Sequence, residues 1–356
     1  MQKKAFVLSL GASFYHNPGR FFCLGLALAA WVSGCAPLPV PGENASAKAP
    51  QATIESVRDF EPDGYIEPIP SLAPKGYLLS KLAPDVYFFS TGIYNNMFIA
   101  TPEGVILTDP IADKGALLKK AIAEVTPLPV KFILYSHSHL DHIGDAHLFA
   151  ENAQIIGHIE TKKLLERYGD SRRPVPNISF GSVYYLDFGG IRVELLYPGE
   201  GHGKGNIMIY VPARKVLMYV DAATPKSVPF KNFGTVDIYG QVQGIRSALK
   251  LDFDAYVAGH LHRPGTRKEM EEVLEYYLDS KKADHEAMKR VRFAEVMSAT
   301  KSRDIERIIG EYYEAVAEEC YGILKKSWKQ RLMGFEAFAR GHCDVWTAFH
   351  RTQQAP

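Results

Sequence analysis

Residues 136–145 read Ser-His-Ser-His-Leu-Asp-His-Ile-Gly-Asp, so His137, His139, Asp141 and His142 bring four metal-capable side chains into six residues. Imidazole and carboxylate together suit zinc and other first-row divalent ions. Two more histidines stand beside glycine. His202 lies between Gly201 and Gly203, where the backbone can turn tightly and let an imidazole reach inward, and His260 follows Gly259. A closed structural zinc site uses four protein ligands, often cysteines, and no cysteine lies near these histidines. The residue types therefore favour a catalytic metal site with an open position.

Strand ends must hold these side chains. Residues 131–135 form a short apolar run that reads as a buried strand entering the histidine cluster. Alternate side chains of an extended segment point the same way, so His137, His139 and Asp141 reach one side, with His142 beside them. Strands are also predicted at 86–92, 97–100, 105–108, 155–156, 183–187, 191–197, 207–211, 216–220 and 255–258. Gly189-Gly190 turns one hairpin, Asp221 ends the strand 216–220, and His260 follows the strand 255–258. The spacing predicts helices over 114–125 and 161–168 and a helix beginning at 145–149. His147 and His158 read as structural residues, and His262 as a weaker rival to His260.

The stretch His137-Ser138-His139-Leu140-Asp141-His142 resembles the His-x-His-x-Asp-His signature of the metallo-β-lactamase superfamily. Later landmarks of that family follow in order: Pro198 to His202, Asn206, Asp221 at a strand end, and Ala258-Gly259-His260. The similarity covers about residues 86–265. It implies an α/β, four-layer αββα sandwich, with two sheets face to face, helices outside and a metal site at one edge. It further implies two zinc ions per chain. His137, His139 and His202 would hold the first, Asp141, His142 and His260 the second, and Asp221 would be shared. Asp109 is expected to support the site by accepting a hydrogen bond from a ligand histidine, which fixes its tautomer.

The 356-residue chain can bury a large core, and its 41 basic against 40 acidic residues argue against nucleic acid as a partner. The apolar run 21–32 is too short to span a bilayer as a stable helix, and it ends Val32-Ser33-Gly34-Cys35. This resembles a bacterial lipoprotein signal peptide, 1–34, whose removal leaves Cys35 as the acylated first residue. Ala36-Pro37 carries no aspartate after the cysteine, which implies an outer-membrane, periplasm-facing enzyme of the cell envelope. Residues 35–75, rich in Pro, Ala and acidic side chains, read as a tether. The catalytic domain is expected over 76–265 and a C-terminal helical extension over 266–356, with helices near 269–278, 286–297 and 303–332. Cys320 and Cys343 are expected to pair, the alternative being two buried thiols.

The chemistry expected is hydrolysis of a small-molecule lactone, ester or lactam, with Asp141 orienting the nucleophile and helping to move its proton. The cysteine-ligand metallo-β-lactamases carry a lysine three residues beyond the position of Asp221; this chain has Thr224 there, with Lys226 out of register. The alternatives are a β-lactamase proper, an iron-loaded oxidoreductase on the same fold, and a non-catalytic ligand-binding lipoprotein.

Overall fold

The computed structural model describes residues 64–353. The signal peptide, Cys35 and the first part of the tether lie outside the described residues.

Two sheets form the centre. The first has seven strands: β1 (Leu78–Ala83), β2 (Val86–Ser90), β3 (Asn95–Thr101), β4 (Gly104–Thr108), β5 (Val130–Leu134), β6 (Gln154–His158) and β7 (Ile178–Phe180), in that spatial order. β1 to β4 are antiparallel neighbours; β4 to β7 run parallel. The second contains β8 (Val183–Phe188), β9 (Ile191–Leu196), β10 (Met208–Val211), β11 (Val216–Met218) and β12 (Ala255–Val257), ordered β12-β11-β10-β9-β8. The helices are α1 (Gly115–Val125), α2 (Leu140–Ile143), α3 (Ile159–Tyr168), α4 (Ile238–Ala248), α5 (Arg267–Arg290), α6 (Phe293–Ala299), α7 (Ile305–Trp328) and α8 (Phe335–Thr352).

Side-chain alternation builds three apolar layers. Met97 and Ile99 of β3 face the second sheet, where they share a core with Val193, Ile209 and Val211. Phe98, between them, faces the other way, toward Leu118 and Ile122 of α1. On β10, Ile209 and Val211 point into the sandwich while Met208 and Tyr210 point out, toward α4 and the C-terminal helices. This is the period of two expected of strands buried on both faces, and the result is a four-layer α/β sandwich.

The C-terminal helices share that outermost layer rather than standing apart: Val273, Tyr277, Val316 and Trp346 pack in one core with Leu217, Tyr219 and Val242. A capping box of Thr266 and Glu269 starts α5. The separate helices expected near 269–278 and 286–297 prove to be one helix to Arg290 followed by the short α6. The polar residues at the expected break are inward-facing and partnered. Ser280 accepts from Trp346 Nε1 at 2.8 Å, and Asp284 takes Thr347 Oγ1 at 2.6 Å and His350 Nδ1 at 2.7 Å, all from α8. Cys320 and Cys343 are joined in a disulfide that ties α7 to α8. Their sequence separation of 23 residues corresponds to about 3 kcal/mol in the chain-entropy account. Residues 145–149 form short 3₁₀ turns rather than the start of a helix.

Candidate metal centre

The site is built at the ends of four strands. After β5, the Ser136 peptide is held on both sides: its N–H donates to Asp109 Oδ1 at 2.8 Å, and its carbonyl accepts from Ile207 N at 2.9 Å. His137 and His139 follow, and the single turn of α2 carries Asp141 and His142. His202 comes from the loop between β9 and β10. Asp221 sits just beyond β11 at φ 60°, a strained backbone for a non-glycine residue, with its N–H donating to Ala258 O at 3.0 Å. His260 lies just beyond β12 and pairs across an isolated bridge with Tyr94.

All seven side chains converge in two groups. His137, His139, His202 and Asp221 form one, and Asp141, His142 and His260 the other, with donor atoms inside 4.8 Å of one another in each. In the first, His202 Nε2 is 3.1 Å from His139 Nδ1 and 3.1 Å from Asp221 Oδ2. Two donors held tetrahedrally at about 2.0–2.1 Å from one ion are about 3.3 Å apart, so these spacings fit a common ion. Asp221 turns one oxygen toward His202 and His142 (3.1 Å each) and the other toward His260 (3.1 Å), the disposition of a shared carboxylate.

Buried donors without hydrogen-bond partners make the case for a metal. His137 Nε2, both ring nitrogens of His142 and Asp221 Oδ1 have none. Leaving such atoms unpaired is costly unless something else binds them, and a first-row divalent ion fits this donor set. Burial, then the neighbouring His202 and His139, holds His137 well below the ordinary imidazole range, in the neutral form that ligates. Burial pushes His142 the same way but is outweighed by the Asp221 carboxylate, which lifts it to about 9. Burial would raise Asp221, yet His142 beside it keeps the carboxylate well below its usual range. His139 stands on the open side and Asp141 is half exposed, so the solvent approach is from their edge.

Asp109 corrects one expectation. It makes no direct bond to a ligand histidine; Ser136 stands between them. Ser136 Oγ donates to Asp109 Oδ2 at 2.5 Å and lies 2.8 Å from His137 Nδ1, so the imidazole N–H reaches the carboxylate through the hydroxyl. Burial raises the Asp109 pKa to about 6. Asn96 steadies this aspartate's backbone, donating to the carbonyls of Thr108 and Asp109 at 2.9 Å each. Gln241 Nε2 donates to Ala222 O at 3.0 Å, and Asn206 Nδ2 to Val220 O at 3.0 Å, so both sides of Asp221 are held. Sequence reading missed Tyr94, Asn95, Asn96, Ser136 and Gln241. Two adjacent asparagines opening an otherwise apolar strand were the available signal.

The other histidines stand elsewhere. His158 accepts from Glu160 N as the N-cap of α3 and packs on Tyr197 at 3.8 Å between ring centres. His147 lies beside Arg172 O on the surface. His262 faces Glu67 at 3.3 Å, and Glu67 is also clamped by Arg263, which docks this part of the expected tether on the domain. A cleft of about 630 Å³ between Glu200, residues 235–239 and α8 adjoins the His202 loop.

Residues 90–260, which hold all seven donors, match the model of the Metallo-beta-lactamase superfamily. The chain carries a metallo-β-lactamase superfamily domain. It is 31% identical over 189 residues to the 2,4-dinitroanisole O-demethylase subunit alpha of Nocardioides sp. (strain JS1661), a match covering 51% of this chain and 57% of that protein. It is 29% identical over 148 residues to a Metallo-beta-lactamase type 2 of Bacillus cereus, covering 40% of this chain and 55% of the relative. The chain thus spans little more than half the length of these curated relatives. A solved metallo-β-lactamase from Pontibacter korlensis superposes with a TM-score of 0.51 at 18% identity, covering 57% of this chain and 99% of that one, which supports the fold.

Proposed function

We propose that this chain is a two-zinc hydrolase whose preferred substrates are lactones or activated esters. The observation that carries the reading is the meeting of seven donors in two groups around Asp221 at an open sheet edge. Zinc at such a site supplies a Lewis acid for a carbonyl oxygen and water activated near neutral pH. The chain's residues do the rest. Asp141, half exposed beside His142, is placed to orient the attacking water and take its proton. Ser136 and Asp109 hold the His137 ring in one tautomer.

Substrate preference follows from the cations. A β-lactam needs its carboxylate held, and the position that carries lysine in the cysteine-ligand enzymes is Thr224. Lys226 is paired with Glu272 at 2.8 Å and lies over the Tyr65 ring. Arg263 is held between Glu67 and Glu269. Neither is free to replace the lysine. A missing charge-assisted hydrogen bond costs about 1.5–3 kcal/mol, roughly ten- to hundred-fold in rate if it acts in the transition state. The O-demethylase relative makes activated aryl ethers a second substrate class. The test is kcat/KM of one zinc-loaded preparation on a lactone, an aryl ester, a dinitrophenyl ether, a penicillin and a carbapenem. The lactone or ester is expected to lead, and a clear preference for either β-lactam overturns the reading. Iron rather than zinc in the protein as isolated would favour the oxidoreductase alternative.

The lipobox-like Val32-Ser33-Gly34-Cys35 supports a lipid-anchored enzyme facing the periplasm. A Cys35→Ser variant is then expected to lose lipid labelling and leave the membrane fraction. Unchanged labelling would reject the anchor.

A further inference from the structure

We infer that Tyr94 is a positioning residue of the second ligand group, bracing His142 and His260 and facing Asp141. Its hydroxyl faces the Asp141 carboxylate, whose charge adds to burial in raising the tyrosine's pKa. Its ring meets the His142 ring edge-on, with centroids 5.8 Å apart, and leans on the His260 ring at 4.9 Å. Two ligands of one group thus rest on one ring, and the third lies before its hydroxyl. His142 and His260 also meet each other, with centroids 5.0 Å apart, but among the described residues the imidazoles of the other group have no tyrosine against them. His137, His139 and His202 contact one another, with centroids at 4.3–5.0 Å, and among the described residues none makes a ring contact with Tyr94.

Tyr94 is itself rigidly held. Its carbonyl accepts from Thr91 N at 2.9 Å and from Ser90 Oγ at 3.2 Å. Its neighbour Asn95 locks the opposite loop: Nδ2 donates to the carbonyls of His260 and Leu261 at 2.6 Å each, and Oδ1 accepts from Gly259 N at 2.9 Å. That loop takes left-handed backbone at Gly259 (φ 86°) and at Leu261 (φ 80°), the second a strained position for a branched residue. The Asn95 bonds hold it there, so the β2–β3 turn fixes both the backbone and the imidazole of His260. Outer partners of this kind typically govern metal affinity by about 10–100-fold.

This assignment rests on the two-ion reading and is tested by binding rather than turnover. The metal-stripped full chain is titrated stepwise with cobalt(II) by calorimetry and visible absorption, for the parent, Tyr94→Phe and Tyr94→Leu. Phe keeps the ring and loses the hydroxyl; Leu loses both. The first ion should bind all three proteins alike. The second is expected to weaken about 10-fold in Tyr94→Phe and about 100-fold in Tyr94→Leu. Equal weakening of both ions, or no change in either, overturns the assignment. A parent that takes only one ion removes the two-ion reading and this inference with it. A parent that takes two, with Tyr94→Phe and Tyr94→Leu indistinguishable from it, removes the inference alone.

Discussion

Gly259 illustrates how close the packing around the donors is. A Cβ there would stand 2.5 Å from Val220 Cγ1 and 3.0 Å from His142 Cε1, and its φ of 86° is one that side chains rarely adopt. Gly259→Ala should therefore displace His142 and strain the backbone before His260, while His137, His139 and His202 keep their places. The expected outcome is selective loss of the second ion, measured as metal content after dialysis; full retention of both ions would contradict the geometry. At this scale the donors were legible. Histidine and aspartate at one-residue intervals behind a buried strand announce a metal site, and a histidine between glycines announces one reaching in. Asp109 was legible as a support but its route was not, because it reaches His137 through Ser136, 27 residues away, and no local spacing encodes that contact.

Elements carry the second level of organisation, above all the loop between Asp221 and α4. Asn232, Phe233 and Gly234 run in left-handed conformation, and the C-terminal helices hold them there. His342 of α8 is fully buried, with Tyr276 OH donating to Nδ1 at 2.8 Å and Nε2–H donating to Phe230 O at 3.2 Å. Its ring stacks on Phe233 at 4.1 Å. The loop then passes on to Gly201, whose carbonyl accepts from Val236 and Asp237 N, beside the ligand His202. Burial lowers the His342 pKa to about 4 from an ordinary 6.5. A depressed histidine contributes stability that is full above about pH 6.5 and lost as pH falls toward 4, on the order of 3 kcal/mol. Urea unfolding of the parent should thus lose stability over that window more steeply than His342→Gln, narrowing the gap between them. Parallel pH profiles would contradict this. The sequence reading placed helices over most of this region but broke α5 and left α8 unmarked, because part of their inward faces is polar. Ser280, Asp284, His342, Thr347 and His350 look like a solvated surface until their partners on the facing helix are seen.

In the whole molecule, the sandwich and the helical region form successive layers, and the metal edge lies where both sheets end. The layered order could be read from strands apolar on both faces, such as β3 and β10, which demand cover on each side. That the C-terminal helices would provide one of those covers could not, because their amphipathic stripes suit a dimer face or a lid equally well. With the helices packed on the second sheet, the open side of the site falls at His139 and Asp141, where a carbonyl substrate can approach. The most direct measurement is to strip the full chain of metal and add back zinc in steps while following hydrolysis of a lactone. Hydrolysis should be absent without zinc, and restored activity should track zinc up to two equivalents per chain. No hydrolysis of any lactone or ester at full loading, or full activity without added metal, would contradict the account.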